Sequence, residues 1–253
     1  QGGKMADLVV SGVTKSFDGR TIIEDISIEI HDRELVSLLG VSGGGKTTLF
    51  NVISGLLKPD RGQVFLDGEE ITGKPGNVSY MLQKDLLLPY RTVEDNVALP
   101  LVIGGMKKKE ARKKAAPYFE EFGLAGTEKK YPAQLSGGMR QRAALLRTYL
   151  FSDRLALLDE PFSALDPLTK RSMHRWYLDV MEQIHLSTVF ITHDIDEAVL
   201  LSDRIYILGG KPGHIIDEIR IEEPKPRRND FQLTEEFLSY KKRILEKIEE
   251  SEE

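Results

Sequence analysis

Cysteine is absent from the chain, which removes disulfides, thiolate metal sites and thiol nucleophiles from consideration. The composition fits a reducing compartment. Also missing is any run of about 18 consecutive apolar residues, the length a membrane-crossing helix requires. The first residues, Gln1 to Met5, lack the apolar stretch of a signal peptide, so a soluble intracellular protein is expected. Basic character is lacking too: the formal net charge is -5, which argues against a chain that binds nucleic acid. No internal repeat or low-complexity segment is visible. Gln1, Gly2, Gly3 and Lys4, ahead of Met5, read as an expression remnant and stand outside the fold. What is present is an ordinary globular balance, 40% hydrophobic and 30% charged over 253 residues. That length can bury a large core without staples.

Short runs rich in Val, Ile and Leu recur along the chain: "LVV" at Leu8, "TIIEDISIEI" from Thr21, "LVSLL" from Leu35, "QVFL" from Gln63, "VSYML" from Val78, "LALL" from Leu155, "TVFIT" from Thr188 and "RIYIL" from Arg204. The later ones alternate with helical patterns, as the strands of a buried, mostly parallel sheet do. An α/β fold is expected. Between Thr92 and about Tyr131 the strand-like runs stop and helix formers take over, with a charge run, "KKKEARKK" from Lys107, that reads as a solvated helix face. A helical insertion over about residues 90–145 follows. At the end, Leu233, Phe237, Tyr240, Ile244 and Ile248 fall on one helical face, so residues 230–253 read as an amphipathic helix with an acidic tail.

"GVSGGGKTT", Gly40 to Thr48, follows the apolar run at Leu35 and precedes the helical pattern "LFNVISGLL". It matches G-x-x-x-x-G-K-[ST] in a strand-loop-helix setting. Glycines let successive backbone N–H groups converge on phosphate oxygens at a helix N-terminus whose dipole favours negative charge. Gly40, Ser42, Gly43, Gly44, Gly45, Lys46, Thr47 and Thr48 are therefore expected to cradle a nucleotide. Lys46 would neutralise the β- and γ-phosphates, and Thr47 would offer a hydroxyl to Mg2+. Magnesium takes hard oxygen ligands, so a carboxylate at a strand's end is expected beside Thr47. "LALLDEP" supplies Asp159 for the metal and Glu160 for the attacking water. The base-reading run N-K-x-D is absent, which favours adenine or weak discrimination between bases.

"LSGGMRQR", Leu135 to Arg142, adds a second anion site. Ser136 can cap a helix beginning near Gly138, leaving N–H groups pointing outward. The ordered set of phosphate loop, "LSGGMRQR" and "LALLDEP" resembles the nucleotide-binding subunits of ABC transporters, over nearly the whole chain from Leu8 to about Ile221. The resemblance implies a P-loop NTPase core over residues 5–229, with a mostly parallel sheet, an N-terminal antiparallel β part and the inserted helical subdomain.

By the same resemblance, Ser136, Gly137, Gly138 and Asp166 of "SALDP" serve the ATP held by another subunit's Lys46, so that two ATP molecules join a homodimer. Phe17 in "KSFDG" is similar to the aromatic residue that stacks on adenine, with phenylalanine where tyrosine is usual. Gln83 in "YMLQKD" corresponds to the glutamine that senses magnesium and the attacking water, and His193 in "VFITHD" to the histidine that reaches the γ-phosphate. His31, His174, His185 and His214 match no motif. "ALLRTYL" replaces the usual small-residue helix after the Ser-Gly-Gly motif. The family role implied is ATP hydrolysis at the cytoplasmic face of a membrane. It would be coupled to separate transmembrane permease subunits, with "LLLPYRTVEDNVALPL" as docking surface, and through them to an extracellular solute-binding protein. "GGKPGHIIDEI" followed by "EEPKPRR" resembles the nitrate, sulfonate and taurine importers, although an ordinary turn and a solvated basic linker would read alike. A soluble ABC-type ATPase and another P-loop switch are the alternatives.

Overall fold

The computed structural model describes residues 7–41, 43–228 and 230–251. In chain order the elements are β1 (Leu8–Phe17), β2 (Arg20–Ile30), β3 (Leu35–Gly40), α1 (Lys46–Ile53), β4 (Arg61–Leu66), β5 (Glu69–Glu70) and β6 (Ser79–Met81). Then come α2 (Val93–Val97), α3 (Leu99–Ile103), α4 (Lys108–Ala115), α5 (Tyr118–Glu121), α6 (Gly137–Phe151), β7 (Leu155–Asp159) and α7 (Pro167–Ile184). The chain closes with β8 (Ser187–Thr192), α8 (Ile195–Leu201), β9 (Arg204–Gly209), β10 (His214–Arg220) and α9 (Glu235–Glu250). Every apolar run read as a strand becomes one, and the fold is α/β.

Two compact units result, Gln1–Val78 with Ser187–Glu253, and Ser79–Leu186. In the first, an antiparallel sheet has the order β2-β1-β4-β5, with Leu8 opposite both Ile30 and Leu66. Beside it in the same unit, β3 runs parallel to β8 and to β9, and β10 returns antiparallel to β9. Strands β3, β8 and β9 are buried along their whole length, which explains why their sequences are continuously apolar instead of alternating.

Strand β10 lies almost wholly within "GGKPGHIIDEI" and is not among the apolar runs expected as strands. Of its residues only Ile219 is buried, and the rest are exposed or half-buried, so the run carries little hydrophobic pattern. Arg204 opens β9 from a buried position and is held by Glu34 at 2.5 Å, Glu218 at 3.2 Å and the Glu29 carbonyl at 2.7 Å. The pairing satisfies a charge that burial alone would penalise.

The terminal helix docks through Phe237 and Ile244, which join Ile205, Ile207, Ile219 and Phe231 in one cluster. Leu233 does not share that face as its spacing suggested. It ends a short 3-10 turn and is 86% exposed. Thr234 caps α9, its Oγ1 accepting from Phe237 N at 3.2 Å, so the helix and its period begin after Leu233. The basic run after β10 is exposed over most of its length but is pinned at two points. Arg227 is buried and donates to the Leu200 and Ser202 carbonyls, while Lys225 reaches Asp203 at 2.7 Å.

In the second unit β6 and β7 pair in parallel, Tyr80 opposite Leu157. The expected helical segment, about residues 90–145, lies here together with β6, β7 and α7. Its charge run is partly pinned: Lys108 and Arg112 of α4 pair with Asp95 of α2 at 2.8 and 2.6 Å. Phe122, Tyr149 and Trp176 form an aromatic contact chain against α6 and α7.

Candidate functional site

The phosphate loop is built in the first unit, where β3 stops at Gly40 and α1 starts at Lys46. Gly45, the N-cap of α1, has φ 92°, and a Cβ placed there would lie 2.3 Å from Ile23 Cγ2. A Cβ at Gly40 would meet the Leu208 carbonyl oxygen at 2.3 Å. The backbone can take this path only without side chains, which is why glycine occupies both positions. No side chain caps α1 and no acid stands in its first turn, an arrangement that suits an anion at a helix start. Lys46 is 8% exposed, and its Nζ donates to the carbonyls of Gly40 and Val41, each at 2.7 Å. The ammonium is thus stored on the loop that a phosphate would enter. Gly43 and Thr47 are exposed, Gly44 is buried and Thr48 is half-buried. Ser42 lies outside the described residues.

His193 follows β8, whose Thr192 pairs with Leu39 next to Gly40. Register therefore brings His193 and the phosphate loop to the same edge of the parallel strands. The turn that carries it is braced, with Asp194 N donating to Thr192 Oγ1 at 3.0 Å, Thr192 Oγ1 donating to Glu197, and Glu197 N donating to Asp194 Oδ1 at 3.1 Å. Phe17 ends β1 and is 45% exposed, with Lys15 Nζ 5.5 Å from its ring centroid. It is a surface aromatic and not a core residue.

In the second unit the structure brings Gln83 and Glu160 together. Gln83 Nε2 donates to Glu160 Oε2 at 3.0 Å. Glu160 stands just past β7 with φ 46°, a conformation that side chains other than glycine adopt rarely. Ser163 supports it, with both its N and its Oγ donating to the Glu160 carbonyl, at 3.2 and 3.0 Å. Asp159 faces Tyr80: burial and then the Asp159 carboxylate push the phenol well above its usual value. Tyr80 and Ser163 escaped the sequence reading because strand pairing and a turn, not spacing, place them.

Ser136 caps α6 as expected, its Oγ accepting from Met139 N at 3.3 Å, and Asp166 caps α7 by accepting from Leu168 N and Thr169 N. Hydrogen bonds from Thr169 and the neighbouring backbone hold the Asp166 carboxyl below its usual range. The two helix starts adjoin, since a Cβ on Gly137 would touch Leu165 Cδ2 at 3.4 Å and one on Gly138 would touch Met173 and Thr169 at 3.4 Å. Gly138 is buried under α7 while Ser136 is exposed, so the glycine serves helix packing inside its own chain as well as leaving the Ser136 end open.

Residues 23–163 match the sequence profile of the ABC transporter family. The chain belongs to that family. Over 216 residues this ABC cassette is 46% identical to the formylaminopyrimidine import ATP-binding protein ThiZ of Halalkalibacterium halodurans, covering 85% of this chain and 84% of that protein. The aliphatic sulfonates import ATP-binding protein SsuB of Bacillus cereus is 37% identical over 244 residues, 95% of each chain. Among solved structures, the dimeric ATP-binding cassette MJ0796 bound to ADP and Pi gives a TM-score of 0.70 at 29% identity, over 85% of this chain and 99% of that one. The cassette is accordingly an ATP hydrolase coupled to transport. The glycine cradle, the uncapped helix and the stored Lys46 all suit ATP.

Proposed function

We propose that this cassette works as a homodimer at the cytoplasmic face of the membrane and drives import of a small solute through separate permease subunits, fed by an extracellular solute-binding protein. Import is supported by the names of the relatives above, and the absence of a helix long and apolar enough to cross a membrane among the described residues agrees with separate permeases. The observation that carries the hydrolytic role is the hydrogen bond from Gln83 to Glu160.

Lys46 and the N–H groups of Gly43 to Thr48 hold the phosphates of ATP, and Phe17 stacks on the adenine. Glu160 orients and deprotonates the attacking water, with Gln83 fixing its carboxylate. His193 donates to the γ-phosphate, and Ser136, Gly137, Gly138 and Asp166 complete the site of the opposite subunit. Donors at the γ-phosphate act most strongly where charge accumulates during transfer. Thr47, Gln83 and Asp159 would hold Mg2+, which when bound neutralises charge on the β- and γ-phosphates. The donor set fits: one hydroxyl, one amide and one carboxylate leave a hard cation room for water and phosphate oxygens. Among the described residues no group of three His, Asp or Glu side chains stands ready as a stronger metal site.

Glu160→Gln tests this directly. Turnover should fall by about a hundredfold or more, the size of a lost general base, while ATP binding persists and an ATP-bound dimer accumulates on size exclusion. Undiminished steady-state hydrolysis would remove Glu160 from the role. Copurification of the wild-type chain with hydrophobic subunits tests the transport assignment, and a chain that purifies without them would be a soluble ABC-type ATPase.

A further inference from the structure

The segment after Gln83 forms no helix or strand, yet it is held firmly. Arg147, in the middle of α6, donates from Nη1 to the Leu86 carbonyl at 2.8 Å and from Nη2 to the Asp85 carbonyl at 2.5 Å. Arg140, two turns earlier on the same helix, brings Nε to 3.5 Å from the Asp85 carboxylate. Asp85 Oδ1 in turn accepts from Leu87 N at 3.0 Å. On the far side Asn96 of α2 accepts from Leu88 N at 2.6 Å and donates to the Leu88 carbonyl at 3.1 Å.

This clamp has a strained backbone to hold. Leu86 has φ 46° and is 52% exposed, so no burial of its side chain offsets the cost of a left-handed conformation at a bulky residue. Such a conformation persists only where its surroundings over-determine it. A planar guanidinium can meet two adjacent carbonyls at once, whereas an ammonium acts as a point charge. Burial lowers the pKa of Arg147 and the Asp85 charge opposes the shift, and the group stays cationic.

We infer that Arg147 is a positioning residue for hydrolysis: by fixing the Asp85–Leu86 carbonyls on α6, it keeps Gln83 on Glu160. The inference rests on the reading of Glu160 and Gln83 proposed above. It also makes α6 a strut, because the helix that begins at the Ser136 cap is the one that carries the clamp.

The test compares the full chain with Arg147→Met, which removes the charge, and Arg147→Lys, which keeps the charge but loses the fork. Steady-state ATP hydrolysis and hydrogen exchange read by mass spectrometry are measured on each. In Arg147→Met kcat should drop about tenfold or more, the scale of a lost charge-assisted hydrogen-bond pair, with KM within about twofold because ATP binding is untouched. Amides of residues 84–88 should exchange faster while those of residues 46–53 keep their protection. Arg147→Lys should fall between the two. An unchanged kcat, a rise in KM alone, or unaltered exchange over 84–88 would each overturn the inference. Should Arg147→Met fail to fold, Arg147→Lys and Arg140→Gln carry the same expectation in smaller size, and wild-type rates in both overturn it. Full turnover in Glu160→Gln would instead defeat the reading of the hydrolytic pair, and exchange over 84–88 would then decide the clamp by itself.

Discussion

Glu160 adopts φ 46° at the end of an otherwise regular strand. The left-handed turn carries the carboxylate away from the strand direction, where Gln83 Nε2 reaches it and Ser163 holds its carbonyl. Strain of this kind costs about 1–3 kcal/mol and tends to survive where it places a reacting group. Gly45 meets the same need differently, since its φ of 92° is free of steric cost and its missing Cβ leaves room for Ile23. Phe17 is the residue whose role is most open to test. An exposed ring at a strand end gains little from the fold, so Phe17→Ala should leave stability nearly unchanged while weakening ATP binding by about 1–2 kcal/mol, the scale of base stacking on an aromatic. Isothermal titration measures it, and unaltered ATP affinity would mean that the ring does not stack on adenine.

Among the elements, α6 and α7 each begin on a capping residue that the proposed function also uses. Ser136 and Asp166 satisfy the first N–H groups of their own helices, worth about 1 kcal/mol each as caps, and both are exposed, as the proposed role in the opposite subunit's site requires. Helix α9 shows a boundary set by its cap, Thr234, and a face packed on the core. Phe237 is nearly inaccessible and packs edge-on to Phe231 at 5.3 Å between centroids. Phe237→Ala should therefore destabilise the first unit by about 3–5 kcal/mol in urea unfolding. Leu233→Ala, on an exposed turn, should change it by less than about 0.5 kcal/mol. Equal effects would mean that the helix docks through a face including Leu233.

At the scale of the whole molecule, the phosphate cradle with His193 belongs to one compact unit and the Gln83–Glu160 pair with the Ser136 cap to the other. Division of the residues in this way makes the proposed dimer testable with two substitutions, one in each unit. In mixed dimers, Ser136→Arg in one copy should abolish hydrolysis at the site served by that copy, while its own cradle still binds ATP. Single-turnover hydrolysis in heterodimers pairing Ser136→Arg with Lys46→Ala distinguishes the arrangements. With both changes in one chain and a wild-type partner, the partner's intact cradle faces the altered Ser136, so both sites should be silent. With the changes on separate chains, one site should remain intact. The reverse result would place Ser136 at the cradle of its own chain.

The amino-acid order by itself determined the central strands β3, β8 and β9, because they are buried on every residue and must be largely apolar; it did not disclose β5 or β10, whose residues are largely exposed or half-buried. It also determined the phosphate loop, because only glycine can supply its backbone path and only consecutive residues can form it. The cap of α6 was legible for the same reason: Ser136 acts within a few residues of its own position. Tertiary structure alone decided what acts at long range. No local pattern says that Arg147 will hold the carbonyls of Asp85 and Leu86, that Gln83 will donate to Glu160, that Tyr80 will lie against Asp159, that Lys225 will reach Asp203, or that Arg227 will be buried. Those contacts join residues distant in sequence, and chain folding, through strand pairing and helix packing, creates the proximity on which each depends.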